Sequence, residues 1–203
     1  MKKIVWNDEK VFIDGNSGNG VFEIKDFNGF ISFYHSGCEV KNASFTVIIK
    51  HIQYLTGEHK PFKPYSAEVN EIIWNGGEVV SGNFSPHFWK NGVFNGGTLR
   101  TARFEDGVFN GEKLNCNVFC DGVVSKGIVE CSTWSRGIFN GDSLTGNFVC
   151  GVFNNGVFNG TWHDGHFKGG TFKGNWKGGV WFGGSFEGKS YVGDGTFNSV
   201  VKG

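Results

Sequence analysis

Gly92-Val93-Phe94-Asn95-Gly96 recurs almost unchanged as Gly107-Val108-Phe109-Asn110-Gly111, Gly137-Ile138-Phe139-Asn140-Gly141 and Gly156-Val157-Phe158-Asn159-Gly160. Stepping outward from Phe94 in fives gives Trp89, Phe84, Val79 and Trp74 in one direction. In the other it gives Leu99, Phe104, Phe109, Leu114, Phe119, Val124, Val129, Trp134, Phe139, Leu144 and Val149. Every one is large and apolar. The register then slips by one to Phe153 and Phe158, again to Trp162, Phe167 and Phe172, and again to Trp176, Trp181, Phe186 and Tyr191. A slip the other way reaches Phe197. Two residues before most of these positions stands glycine, with Ala102 and Ser132 as small substitutes, and the residue between is often β-branched.

A period of five matches neither the helical repeat of about 3.6 nor the strand repeat of 2. It suits a chain that turns a corner every five residues, with one large residue per side pointing inward and its neighbour pointing out. Glycine supplies the backbone freedom that a tight corner needs. The pattern therefore predicts an all-β, right-handed parallel β-helix over residues 74–203. Its expected core is Trp74, Phe84, Trp89, Phe94, Phe104, Phe109, Phe119, Trp134, Phe139, Phe153, Phe158, Trp162, Phe167, Phe172, Trp176, Trp181 and Phe186. Read as a square coil of four pentads, about 20 residues long, it would stack Trp74, Phe94, Leu114 and Trp134 in one column and Val79, Leu99, Phe119 and Phe139 in another. Residues 74–197 would then make about six coils and a rod roughly 30 Å long, with bulges at the corners where the register slips.

The Gly-Val-Phe-Asn-Gly unit resembles the pentapeptide-repeat family over residues 74–197. That resemblance implies a quadrilateral β-helix with a central Phe or Leu and a small residue two positions before it. Here glycine replaces the usual alanine, and aromatics dominate the centre. The repeat is similar also to the Gly-aromatic runs common in tail and structural proteins of bacteriophages. A MORN-type repeat, which also combines Gly with Tyr and Trp, has a period of about 23 residues and does not fit the five-residue count.

Residues 1–73 hold six of the 34 glycines, so composition changes there. Val11–Ile13, Gly20–Ile24, Phe30–Tyr34 and Ser44–Ile52 read as strands, Asn16–Asn19 as a turn and Thr56–Tyr65 as a loop. Gly20-Val21-Phe22 followed by Phe27 echoes the pentad, which would let degenerate coils begin early. This β-rich N-terminal region is expected either to cap the open end of the stack, preventing edge-to-edge growth, or to dock the rod to a partner.

Nineteen basic and 19 acidic residues give zero net charge. That argues against a polyanion mimic and against strong nucleic-acid binding, which need a field of one sign. Residues 75–203 repeat the balance, with 11 basic and 10 acidic. No apolar stretch nears the roughly 20 residues that span a bilayer, and no signal-peptide core follows Met1-Lys2-Lys3. The expected location is a virion if the chain is phage-encoded, and otherwise a cytoplasm. Cys38, Cys116, Cys120, Cys131 and Cys150 form an odd set that reads as free thiols.

Candidate chemistry is sparse. The cysteine spacings match no zinc pattern, so no metal or cofactor is expected. His163-Asp164-Gly165-His166 reads as surface. Lys168, Lys173 and Lys177 would ring one coil as solvated charge, a weak anion surface being the alternative. Acidic pairs such as Glu105-Asp106 are sequence neighbours that point oppositely on a strand. No nucleophile elbow, Walker loop or dinucleotide fingerprint occurs. The expected function is therefore a non-enzymatic structural or interaction protein, a phage tail, baseplate or capsid-surface component. Its partners would be other proteins of an assembly, including copies of itself. The alternatives are a binding protein acting on a topoisomerase or other cytoplasmic partner, which the neutral charge disfavours, and a glycan-binding β-helix, for which Phe182 is the one exposed aromatic off the five-step grid.

Overall fold

The computed structural model describes residues 68–188 continuously, with side chains from 73 to 188. It also describes the strands Ile4–Asn7 (β1), Lys10–Ile13 (β2), Gly20–Lys25 (β3) and Glu39–His51 (β4), and the short strands Ser190–Tyr191 and Thr196–Phe197. The expected strand Phe30–Tyr34, turn Asn16–Asn19 and loop Thr56–Tyr65 lie outside the described residues.

β1 and β2 form an antiparallel pair. β3, β4 and Glu68–Ser81 (β5) form an antiparallel ladder, and β5 runs through the position 73/74 at which composition changes. The segment Gly20–Lys25 is thus not an early coil. It pairs antiparallel with β4, whose β-branched run Ser44–Ile49 favours one long strand over a series of corners. β5 pairs antiparallel with β4 along its length on one edge and parallel with the next strands on the other; every pairing beyond β5 is parallel, and the chain winds into a β-solenoid of about eight turns.

The coil has three sides, not four. Leu99 lies beside Leu114 and Leu114 beside Val129, so one turn takes 15 residues, or three pentads. The inward residues therefore form three columns. The first wall carries Trp74, Trp89, Phe104, Phe119, Trp134, Phe148, Trp162, Trp176 and Tyr191. The second carries Val79, Phe94, Phe109, Val124, Phe139, Phe153, Phe167, Trp181 and Phe197. The third carries Phe84, Leu99, Leu114, Val129, Leu144, Phe158, Phe172 and Phe186. The square-coil columns are replaced accordingly: Trp74 stacks on Trp89, with ring centroids 5.2 Å apart and planes 13° apart.

The pentad fixes one inward residue per side and leaves the corner angle open. Glycine sets that angle. Between the first and second walls Gly77, Gly92, Gly107, Gly122, Gly137, Gly151, Gly165 and Gly179 stack with φ between +96° and +123°. L-residues rarely reach this region, and it turns the chain sharply enough for three sides to close. A Cβ on Gly107 would also strike the carbonyl oxygen of Gly92 in the coil below. Asn91, Asp106, Asp121 and Asp164 accept a hydrogen bond from the amide of the following glycine at 2.6–2.8 Å.

The slips at Phe148, Trp162 and Trp176 are shortened corners, and the first of them leaves the expected bulge-type shift in the pairing between Glu130 and Thr133. Up to Leu144 each coil takes 15 residues. From Leu144 to Phe158 and from Phe158 to Phe172 it takes 14. The missing residue always comes from the corner between the third and first walls, where Gly146, Gly160 and Gly174 replace a longer path. Phe148 accordingly turns inward and is fully buried, whereas Val149, placed on the inward grid by the count of fives, is 43% exposed.

Between Trp74 and Trp176 every column residue is fully buried, Trp181 is 1% exposed, and Phe186 packs against this core. Fully burying a Phe side chain is worth about 1.5–3 kcal/mol, and stacked rings add to it. The indole N–H groups of Trp89, Trp134 and Trp162 meet no oxygen. Their rings stand edge-on to Phe94, Phe139 and Phe167 at 6.0, 6.0 and 5.7 Å, the arrangement in which a ring edge meets the negative face of its neighbour.

Candidate interaction surface

With the bore filled by apolar side chains, the chemistry available to a partner lies on the outer walls, which differ. Each wall displays the residue before and the residue after its inward one. On the first wall these include Arg103, Glu105, Lys90, Cys120 and Lys177. On the third they include Arg100, Lys113, Glu130, Lys173 and Glu187. Ion pairs tie some of them: Lys113–Glu130 at 2.7 Å, and Arg103–Glu105 and Lys173–Glu187 at 3.5 Å. All are solvated pairs, each worth about 0–1 kcal/mol.

The second wall is different. The residue before the inward one reads Glu78, Val93, Val108, Val123, Ile138, Val152, His166 and Val180, each beside the next through parallel pairing. The residue after it reads Val80, Asn95, Asn110, Ser125, Asn140, Asn154, Lys168 and Phe182. From Val93 to Asn154 neither column contains a charge. Asparagines bridge coils on this wall: Asn110 Nδ2 donates to Asn95 Oδ1 at 2.9 Å, Asn154 Nδ2 to Asn140 Oδ1 at 2.6 Å, and Asn95 Nδ2 to Glu78 Oε1 at 2.8 Å. The backbone beneath is continuous: the amides of Val108, Val123, Ile138, Val152 and His166 each donate to the corner glycine of the coil below at 2.9 Å. Coil shortening occurs at a different corner, so it leaves this wall in register.

Phe182, at 44% exposed, belongs to this wall and stands edge-on to His166 at 5.6 Å. His163 and His166 are both exposed, on the first and the second wall respectively. Lys168, Lys173 and Lys177 follow inward residues of three different walls, so they do ring one coil. Counting in fives missed the wall because it ranked the inward residue and treated its neighbours as filler. The signal was present: three of the four purest pentads, at 92, 107 and 137, are separated by multiples of 15.

The cysteines divide by position. Cys116 and Cys131 are register partners in adjacent coils, each 7% exposed, in the corner column that also holds Thr101. A hydrogen bond with Cys131, reinforced by burial, holds the Cys116 thiol far above its ordinary ionisation range. Burial also raises Cys120. Both therefore stay protonated and weakly nucleophilic. Thr101 Oγ1 donates within the same corner to the carbonyl oxygen of His87 at 2.9 Å. Among the described residues no three His, Cys, Asp or Glu side chains gather as a metal site would need, and no helix is long and apolar enough to cross a membrane.

Comparison of the chain with protein-family models, with curated proteins and with solved structures gave no match.

Proposed function

We propose that this chain is a non-enzymatic structural and interaction protein, a rigid rod that displays side chains on a fixed lattice. The observation that carries the reading is the second wall. Five successive coils present Val or Ile beside Asn or Ser without a charge, held at the ladder spacing by unbroken backbone hydrogen bonds. A wall whose positions are set by stacking has little conformational entropy left to lose on binding, which is how preorganisation favours affinity. In this proposal the rod is a virion component of the tail, baseplate or capsid surface, a reading supported only by the resemblance of its Gly-aromatic repeat to runs in bacteriophage tail and structural proteins. The pentapeptide-type repeat supplies the scaffold.

The test is sedimentation of the tagged full chain from particle-producing cells. Co-sedimentation with the particle, lost when Val108 and Ile138 are both replaced by Lys, supports the reading. A chain that stays small and retains a type II topoisomerase or a glycan overturns it in favour of a cytoplasmic binding role.

A further inference from the structure

The outer column of the second wall reads, in order, Glu78, Val93, Val108, Val123, Ile138, Val152, His166. These seven rungs, which Val180 follows, are self-complementary in chemistry: five apolar rungs centred on Val123, with a carboxylate before them and an imidazole after them. From this we propose that the second wall binds a second copy of the same chain, antiparallel, about a two-fold axis through Val123.

The geometry follows from the lattice. Rotating one rod about an axis lying in the wall and perpendicular to the rod keeps each column facing its own kind. Val123 then meets Val123, Val108 meets Ile138, and Val93 meets Val152. The second column behaves likewise: Ser125 meets Ser125, Asn110 meets Asn140, and Asn95 meets Asn154. At both ends Glu78 of one copy meets His166 of the other. A parallel arrangement would instead set the Val column against the Asn column and bury unpaired amides, which is costly. An isologous contact needs a self-complementary patch, and the Glu78 carboxylate opposite the His166 imidazole, an acceptor facing a ring that can donate, provides it. Both copies share one rung spacing, so the match does not drift along the rod. Zero net charge leaves no long-range repulsion to overcome.

Six coil steps separate Glu78 from His166, about 29 Å at the ladder spacing. With a wall one side wide, each copy buries roughly 400 Å², so the pair falls below the ~1,200 Å² lower limit of stable interfaces. The dimer is thus reversible and concentration-dependent. This inference rests on reading the rod as an interaction body. Its test uses purified chain alone, so a failed dimer leaves an assembly role standing, and a failed particle association leaves the dimer standing.

The experiment is sedimentation equilibrium of the full chain from low to several hundred micromolar. The expected result is a monomer–dimer equilibrium. Val123→Lys, which sets two ammonium groups on the axis, should weaken it at least about tenfold. Glu78→Lys and His166→Glu should each weaken it, and the double variant should regain most of the parent's affinity. These side chains point outward, and circular dichroism checks that each variant keeps its fold. Should Val123→Lys unfold the protein, the charge-swap set decides alone. A chain that stays monomeric, a dimer indifferent to these changes, a trimer, or a double variant no tighter than its parents overturns the proposal.

Discussion

The lower coils, from Trp74 to Leu144, and the upper coils, from Leu144 to Phe186, use the same three walls but close them differently. In the lower coils the corner between third and first walls is five residues long and tucks a side chain inward: Pro86, Thr101, Cys116 or Cys131, all buried. In the upper coils the corner is four residues long, and Gly146, Gly160 or Gly174 stands there. Above the first coil, whose third wall is Phe84 beside the long corner of Pro86, the third wall changes close to the corner but one coil later, since Leu144 already precedes the short corner of Gly146. Leu99, Leu114, Val129 and Leu144 line the lower bore, and Phe158, Phe172 and Phe186 the upper. Removing the corner side chain frees volume, and a ring in place of Leu or Val refills it, as close packing demands. The upper bore becomes a set of aromatic triads: Trp162 meets Phe167 at 5.7 Å, Phe167 meets Phe172 at 5.6 Å, and Phe172 meets Trp176 at 5.5 Å, all edge-on. From Leu99 to Phe186, shorter coils and larger third-wall side chains thus go together, with the change falling between Leu144 and Phe158.

The largest break should come from the upper corner. A Cβ on Gly160 would strike the carbonyl oxygen of Gly146 one coil below, at a φ of +154°. Gly160→Ala should cost at least 3 kcal/mol, about the scale of losing a core aromatic, read as the midpoint shift in guanidinium unfolding. The same Ala at Cys131, in the lower corner, should cost about 1 kcal/mol. Similar losses at both sites would sink the distinction between the two corners.

A mid-sized effect tests the coupling itself. Leu114→Phe puts an upper-type ring into a lower coil and should cost about 1–3 kcal/mol by overpacking. Adding Cys116→Gly, which vacates the corner beside it, should recover part of that loss. The readout is a double-mutant cycle, and additivity between the two changes would mean that corner and wall volumes are independent.

The smallest effect concerns the thiols. Cys116 is raised in the folded state, so its contribution is present below the unfolded thiol value of about 8.5 and declines above it, as the unfolded chain gains by ionising. Stability should fall as pH rises beyond that value, and Cys116→Ser should flatten the slope. In the native protein, exposed Cys150 should alkylate while buried Cys116 and Cys131 are spared. Mass spectrometry of the labelled peptides reads this directly.

Much of this architecture is legible in single residues. Phe94, Phe109 and Phe139, each framed by Gly and Asn, announce one inward ring per side and a parallel stack. Residues such as Val93 and Asn95 are equally visible, yet only the pairing of coils turns them into columns. The cysteines illustrate the limit: 15 positions separate Cys116 from Cys131, a spacing without meaning until the turn length is known.

The pentad alone determined the all-β class and the inward positions through Leu144, because side-chain alternation is a local property of an extended chain. The number of sides is a property of closure. It depends on the summed angles of corners whose glycines can take either sign of φ and in the stacked coils take the positive one. The choice of Phe148 over Val149 belongs to the tertiary structure for the same reason: Gly146, packed on the coil of Cys131 below it, shortens the corner and brings Phe148 inward. The charge-free second wall exists only because three pentads, and not four, complete a turn.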